Sequence, residues 1–319
     1  MDCRCLRACL SCSVEPVIVK RQFSVRPFTL SDEVGIQRLW SSVASFDGSV
    51  AARTVMEMTA LLAHPAHRQG AQWRVAVAGN DVIVGALEIV GAVRSELVLA
   101  VNPAWRRVGI GHALLETAPR DRSLHATTRA SAQGSAELLR SMGFVERSRE
   151  ARMRRKASGM RPLPVADSAF VDIDAERDVP RLRAALAAVF GAVAETDAGL
   201  MKAWLARPGC RALYLVGDQG DVGVCLVAGS EHARKSERAP SREAAIGVVE
   251  WVGLAKSARG QGLSRPLVRA GLVQLCAAGY LELEVTADRR QERAIALYEA
   301  EGFSIVDEDV HWLREAPAG

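Results

Sequence analysis

Apolar and polar positions follow the same succession of rhythms twice along the chain. FSVRPF at 23–28 alternates as a strand does, and TLSDEVGIQRLWSSVA then takes helical spacing, with Ser31 and Asp32 placed to accept from the free N–H groups at its start. Residues 47–68 predict a second helix carrying Met56, Met58, Leu61 and Leu62. WRVAVAG at 73–79 and VIVGALEIVG at 82–91 are apolar, β-branched runs on either side of Asn80 and Asp81, which predicts a hairpin. A further strand ends at 101, a glycine-containing turn follows at 106–111, and a helix over 110–118 must stop before Pro119. LHATTR at 124–129, SAELLRSMG and FVERSREARMRRK complete this set as strand, helix and strand.

Residues 158–168, SGMRPLPVADS, have glycine, two prolines and no periodicity, and read as a linker. The succession then restarts. VDIDAERDVPRLRAALAAVFG predicts a strand and an amphipathic helix, and CRALYLVGDQGDVGVCLVAG at 210–229 a hairpin around Asp218, Gly220 and Asp221. The charged stretch 230–245 reads as a solvated insertion or mobile loop. GVVEWVGL at 247–254 is a strand, followed by the turn Arg259, Gly260, Gln261, Gly262, Leu263, Ser264 and the helical pattern SRPLVRAGLVQLCAAG.

A glycine turn between a strand and a helix N-terminus leaves unpaired N–H groups converging on one point, and the glycines let a ligand approach the backbone closely. A pyrophosphate fits such a cradle. The two turns are 153 residues apart (259 minus 106) and the closing Gly-Phe pairs 159 apart (303 minus 144), so the chain is read as two copies of one domain. The expected division is an unstructured tail over 1–22, a first domain over 23–157, the linker, and a second domain over 169–319, consistent with about 150 residues per domain.

The strand, the turn with Arg259, Gly262 and Ser264, and the closing segment with Tyr298, Gly302 and Phe303 resemble the GNAT acetyltransferase superfamily. Ser264 departs from the usual small residue, and Lys256 stands where a proline is usual. The resemblance implies tandem α/β domains, each with a mixed, mostly antiparallel central sheet flanked by helices. It also implies acetyl-CoA as acyl donor substrate and a primary amine on a small molecule, or on a protein, as acceptor. Pantetheine would lie along Val252, Gly253 and Leu254, and the pyrophosphate on Arg259, Gly260, Gln261, Gly262, Leu263 and Ser264, with Gln291 a further cofactor contact. In the first copy the matching residues are Leu99, Val101, Arg106, Arg107, Val108, Gly109, Ile110 and Gly111.

For chemistry, the family's helix tyrosine maps onto Tyr298 as the acid that serves the departing thiolate. Glu250 is the acidic residue on the strand entering the turn and the candidate base. Alternation puts it on the same face as Val248, where tandem relatives that acetylate a cysteinyl pseudodisaccharide carry their base. The first copy has Leu97 and Leu139 at the positions of Glu250 and Tyr298, so catalysis is expected in the second domain and an auxiliary role in the first. A core tyrosine and a salt-bridged strand carboxylate are the plain alternatives, and a non-catalytic coenzyme A binding protein is the alternative function.

Composition narrows the remainder. The 319 residues are 49% hydrophobic and 24% charged, enough for two modest cores. Residues 1–160 hold 22 Lys and Arg against 14 Asp and Glu, a net of +8, whereas 161–319 hold 19 against 23, a net of −4. Arginines by the first turn are candidates for phosphate contacts, with a solvated surface as the alternative. No compact basic and aromatic array points to nucleic acid. No run of about 18 apolar residues predicts a membrane span, and the N-terminus lacks a secretory apolar segment, so a cytoplasmic protein is expected. Of the seven cysteines, Cys3, Cys5, Cys9 and Cys12 lie in the tail, whose C-x-C-x3-C-x2-C spacing is poor for zinc, and Cys210, Cys225 and Cys276 read as small core residues. His64 and His67 lack a third ligand, and no metal site is predicted. Acceptor identity and oligomeric state are not legible.

Overall fold

The computed structural model describes residues 22–47, 72–90, 95–158, 170–172, 174, 177–191, 205, 209–217, 220–229 and 246–317. The cysteine tail, nearly all of the helix expected over 47–68 with His64 and His67, most of the linker and the charged insertion at 230–245 lie outside the described residues. The described strands are β1 (Phe23–Pro27), β2 (Gln72–Ala78), β3 (Val82–Val90), β4 (Ser95–Val101), β5 (Leu124–Arg129), β6 (Val145–Lys156), β7 (Phe170–Asp172), β8 (Arg211–Gly217), β9 (Gly220–Gly229), β10 (Ile246–Leu254), β11 (Glu282–Asp288) and β12 (Ser304–Arg314). The helices are α1 (Glu33–Asp47), α2 (Ile110–Glu116), α3 (Gln133–Ser141), α4 (Val179–Phe190), α5 (Ser264–Ala277) and α6 (Glu292–Ala300).

Local chemistry sets the element ends. Asn80 and Asp81 take left-handed backbone, φ 61° and 57°, which short polar side chains tolerate, and so close the β2–β3 hairpin. At the entry to α1 the cap is Thr29, upstream of the expected Ser31. The Asp32 carboxylate accepts the Thr29 N–H at 2.8 Å and is held by Arg26 at 2.7 Å. Those hydrogen bonds from Arg26 and Thr29 outweigh partial burial and lower the Asp32 pKa to about 2.

All twelve described strands form one sheet, ordered β1-β2-β3-β4-β5-β12-β6-β11-β10-β9-β8-β7. Among the described strands, only β4 with β5 and β10 with β11 pair in parallel. The terminal strands are exchanged: β12, from the end of the chain, lies against β5 of the first half, and β6, from the end of the first half, lies against β11 of the second. Both larger cores occupy one face. Ala151 and Met153 of β6 sit in the core under α5 and α6, while Val310, opposite Arg149 on that same face, sits in the core under α2 and α3. The other face carries α1 and α4 over two smaller cores.

On this second face the exchanged strands are joined by ion pairs. Arg152 pairs with Glu284 and, at 3.1 Å, with Asp309; Arg154 holds Glu284 at 2.7 Å, and Arg129 holds Asp309 at 3.2 Å. The basic first half and the acidic second half therefore meet across the seam. Much of the charge asymmetry is spent on this pairing, a use the composition did not indicate.

Candidate active site

In each half a pair of parallel strands separates and opens a wedge. β10 pairs with β11 only from Ile246 to Val249, then continues along β9 to Leu254. β4 pairs with β5 only from Ser95 to Leu97, then continues along β3 to Val101. Past these points one edge of β10, over Val252, Gly253 and Leu254, and one edge of β4, over Leu99 and Val101, is released from its parallel partner and offers backbone groups to an extended ligand. Gly253 has a packing reason as well: a Cβ there would lie 2.5 Å from Val189 of α4.

The separation in the second half coincides with a bulge. The β10–β9 register shifts between Val249 and Trp251, leaving Glu250 as the extra residue. Bulges re-aim side chains, and the alternation resets here. Val249, Val252 and Leu254 all belong to the core on the α5 face, while Trp251 packs towards α4 against Phe190. Simple alternation therefore does not put Val248 and Glu250 on one face. Glu250, half-buried, stands where the wedge opens.

Both wedges run into the same turn. A short 3-10 segment (Pro103–Trp105 or Lys256–Ala258) precedes an arginine whose Nε donates back to a strand carbonyl five residues earlier: Arg106 to Val101 at 3.2 Å, Arg259 to Leu254 at 3.0 Å. Two left-handed residues follow in each copy, Arg107 and Gly109 with φ 64° and 92°, Gly260 and Gly262 with φ 79° and 75°. A Cβ added at Gly109, Gly260 or Gly262 would meet nothing within 4 Å. The N–H groups of Arg107 to Gly111 and of Gly260 to Ser264 donate to no acceptor among the described residues. An open cradle of amide donors at a helix start fits a pyrophosphate.

The turn arginines expected near phosphate have protein partners. Arg106 also forms a two-point pair with Asp47 at 2.8 and 2.6 Å, and Arg259 also reaches the Val189 carbonyl at 3.2 Å. Their guanidinium groups brace the turn against α1 and α4. Arg107 is exposed and 3.3 Å from Glu137. Gln261 folds back onto the Ser257 carbonyl at 3.0 Å, Leu263 packs on the core, and Ser264 opens α5. In the first copy Val108 is exposed and Ile110 is core. Gly111 lies under Leu138, 2.7 Å from where its Cβ would be, so close packing explains that glycine. Gln291 precedes α6 with φ −92° and ψ 64°, matched 159 residues earlier by Ala132 with φ −88° and ψ 62°; its backbone carbonyl accepts from Ala294 and Ile295, while its exposed side chain caps nothing.

Tyr298 is 6% exposed and lies in one core with Val252, Leu254, Ala258 and Leu263, its ring edge-on to Phe303 at 6.1 Å. Burial, with a smaller contribution from Cys225, pushes its phenol well above the ordinary value, so it keeps its proton at any working pH. Leu139, 4% exposed, fills the matching place in the first half. Cys210 and Cys225 are buried and Cys276 is half-buried, all as free thiols. Among the described residues no group of acidic, histidine and cysteine side chains is placed to hold a metal, and no helix is long and apolar enough to cross a membrane.

Two consequences are testable. Valine at position 262 would be strained at φ 75°, at a cost on the order of 1–3 kcal/mol. Relief of that strain turns the amides away from the cradle. Gly262→Val is expected to weaken acetyl-CoA binding at least about tenfold, read by calorimetry, with the circular dichroism spectrum retained; an unchanged Kd would remove the turn as donor site. Burial also raises Cys225 from 9.0, and Tyr214 from 10.0, each to about 12. Between the ordinary and raised values the folded state holds protons that the unfolded state has released, so this stabilisation is whole below about pH 9 and is lost as pH climbs to about 12. The melting temperature is expected to fall across that window, and Cys225→Ala to flatten the fall.

Released strand edge and open amide cradle together suit an extended ligand that carries a pyrophosphate. Residues 69–146 match the acetyltransferase (GNAT) domain family. The chain is 29% identical over 235 residues to the mycothiol acetyltransferase of Geodermatophilus obscurus, covering 69% of this chain and 74% of that one. It is 29% identical over 240 residues to that of a Nocardioides species, covering 70% and 80%. A GCN5-related N-acetyltransferase from Sphaerobacter thermophilus shares the fold with TM-score 0.65 and 18% identity over 93% of this chain and 96% of its own. A tandem GNAT protein of clavulanic acid biosynthesis does so with TM-score 0.65 and 21% identity over 93% and 100%. The chain therefore carries an acetyltransferase (GNAT) domain match over residues 69–146 within a fold shared with tandem GNAT proteins, and its similarities are those of an acyl-CoA N-acyltransferase with acetyl-CoA as donor.

Proposed function

We propose that the protein acetylates a primary amine of a small molecule by direct transfer in its second half. The observation that carries this reading is Tyr298: a buried, protonated phenol beside the strand and turn of the donor wedge, replaced by Leu139 in the first half. In the forward reaction the amine nitrogen bonds to the thioester carbonyl carbon and the carbon–sulfur bond breaks. Glu250, at the mouth of the wedge, takes a proton from the amine directly or through water. Tyr298 gives its proton to the departing sulfur. The products are an amide and the coenzyme A thiol, and the proton on Glu250 returns to the phenolate through solvent. The unengaged amides of the 260–264 turn hold the donor pyrophosphate, and the first half, with Leu97 and Leu139, serves as an auxiliary domain.

The mycothiol acetyltransferases among the relatives favour a narrower acceptor, the cysteinyl pseudodisaccharide amine that yields mycothiol. Val248 at the place of that enzyme's base, together with Lys256 and Ser264 in the turn, weighs towards a different amine. A panel of primary amines including this pseudodisaccharide, assayed with acetyl-CoA and read by product mass, separates the readings. One acetylated amine formed with a clear kcat/KM preference is the expected result. Acetyl-CoA binding with no acetylated product across the panel would replace the enzyme reading with that of a coenzyme A binding protein.

A further inference from the structure

The start of α5 and the end of α6 are fastened by a buried charge that none of the chemistry above uses. Glu301 follows α6 directly, and its side chain is 0% exposed. Its carboxylate accepts from Arg265 Nε at 2.6 Å, and from Arg269 Nε at 2.9 Å and Nη2 at 3.2 Å. Arg265 and Arg269 are one helical turn apart on one face of α5, the helix whose N-terminus is the donor turn. Glu301 is also one turn beyond Tyr298, whose carbonyl accepts the N–H groups of Glu301 and Phe303, both at 3.0 Å. The clamp thus runs from the phosphate cradle through α5 to the turn of chain that carries the phenol. Arg155, from β6 of the first half, donates to the Glu301 carbonyl on the same turn.

The repeat supplies a built-in control. The first-half positions matching Arg265 and Arg269, 153 residues earlier, are His112 and Glu116, and the position matching Glu301, 159 earlier, is Met142. His112 and Glu116 lie within 3.5 Å of each other along α2, both about half exposed. An apolar residue therefore suffices to pack this corner of the fold. A buried carboxylate is costly to desolvate, and an apolar replacement of similar volume is often no less stable. What the ion triad adds over methionine is direction, two guanidinium groups fixing one carboxylate, and it occurs only in the half that has the tyrosine.

We infer that Glu301 is a positioning residue that holds the Tyr298 phenol at a fixed place relative to the donor turn. This rests on the reading of Tyr298 as the acid. A misplacement of about 1 Å can cost on the order of 100-fold in rate, so Glu301→Met, which gives the second half the residue of the first, is expected to lower kcat by about 10- to 100-fold with little change in KM for acetyl-CoA. The decisive measurement is a double-mutant cycle with Tyr298→Phe, using the acceptor identified from the amine panel, with thermal melts of each variant. Glu301→Met is expected to cost nothing further once the phenol is gone. An equal loss with and without the phenol, or no loss in the Tyr298 protein, overturns the inference. Wild-type turnover by Tyr298→Phe alone instead overturns the underlying reading, and is seen before the cycle is closed. Should Glu301→Met fail to fold, Arg269→Gln removes one arm of the clamp with Arg265 still on the carboxylate, and the same cycle applies.

Discussion

Tyr298→Phe is expected to lower kcat by about 10² to 10⁴ and to leave both acetyl-CoA affinity and the melting temperature close to those of the parent. The substitution keeps the ring, so the edge-on contact with Phe303 and the packing beside Val252 and Leu254 persist. Only the hydroxyl goes, and with it the proton proposed to serve the departing sulfur. A group raised well above its ordinary value by burial does not titrate at neutral pH, so the loss should be uniform across pH 6 to 9 rather than confined to one limb. That uniformity separates the phenol from Glu250, whose service as base matters most where the amine is protonated: Glu250→Gln should show a defect that shrinks as pH rises. Steady-state turnover of both variants across pH, with donor Kd measured separately, checks this. Parent-like turnover by folded Tyr298→Phe at every pH would exclude the phenol as acid.

The parts of this site that repeat locally were legible in the sequence. The 153-residue spacing of Arg106 and Arg259 returned as two turns with the same pair of left-handed residues and the same strand carbonyl receiving the arginine. The 159-residue spacing placed Leu139 where Tyr298 stands, both buried in the core of their own half. Such features depend on a few consecutive residues and survive duplication. The protein partners of Arg106 and Arg259 were not legible, because Asp47 and the Val189 carbonyl that engage them come from helices distant in sequence. The bulge at Glu250 was invisible for a related reason: GVVEWVGL has strand composition throughout, and nothing in it marks where β11 departs. Strand exchange is the most non-local feature of all. Its available signal was the opposite net charge of the two halves, which is consistent with a basic surface until Arg152 and Arg154 are seen against Glu284 and Asp309.

Because of that exchange, Trp312→Ala, seven residues from the C-terminus, is expected to damage the first half of the molecule more than the second. Trp312 is on β12 but is 2% exposed inside the core formed by α2, α3 and β5. Its indole Nε1 donates to Thr128 at 2.9 Å, and the Arg140 guanidinium of α3 lies 5.0 Å above its ring. Truncating a buried tryptophan leaves a large cavity and costs about 3–5 kcal/mol, and here it also leaves the Thr128 hydroxyl without that donor. The cavity opens among Leu124, Ala126, Leu139 and Phe144, all first-half residues. Amide hydrogen exchange should therefore show lost protection in β5, α2 and α3, with a smaller change in α5, α6 and β11 around Tyr298. Met153→Ala is the mirror experiment, since Met153 on β6 is 0% exposed in the second-half core; its lost protection should fall on β11 and α5. If each substitution loosened only the half that encodes it, the exchanged pairing of β6 and β12 would be excluded. If both behave as expected, a change on β12 acts on the first-half core, and a change on β6 acts on the second-half core beside Tyr298.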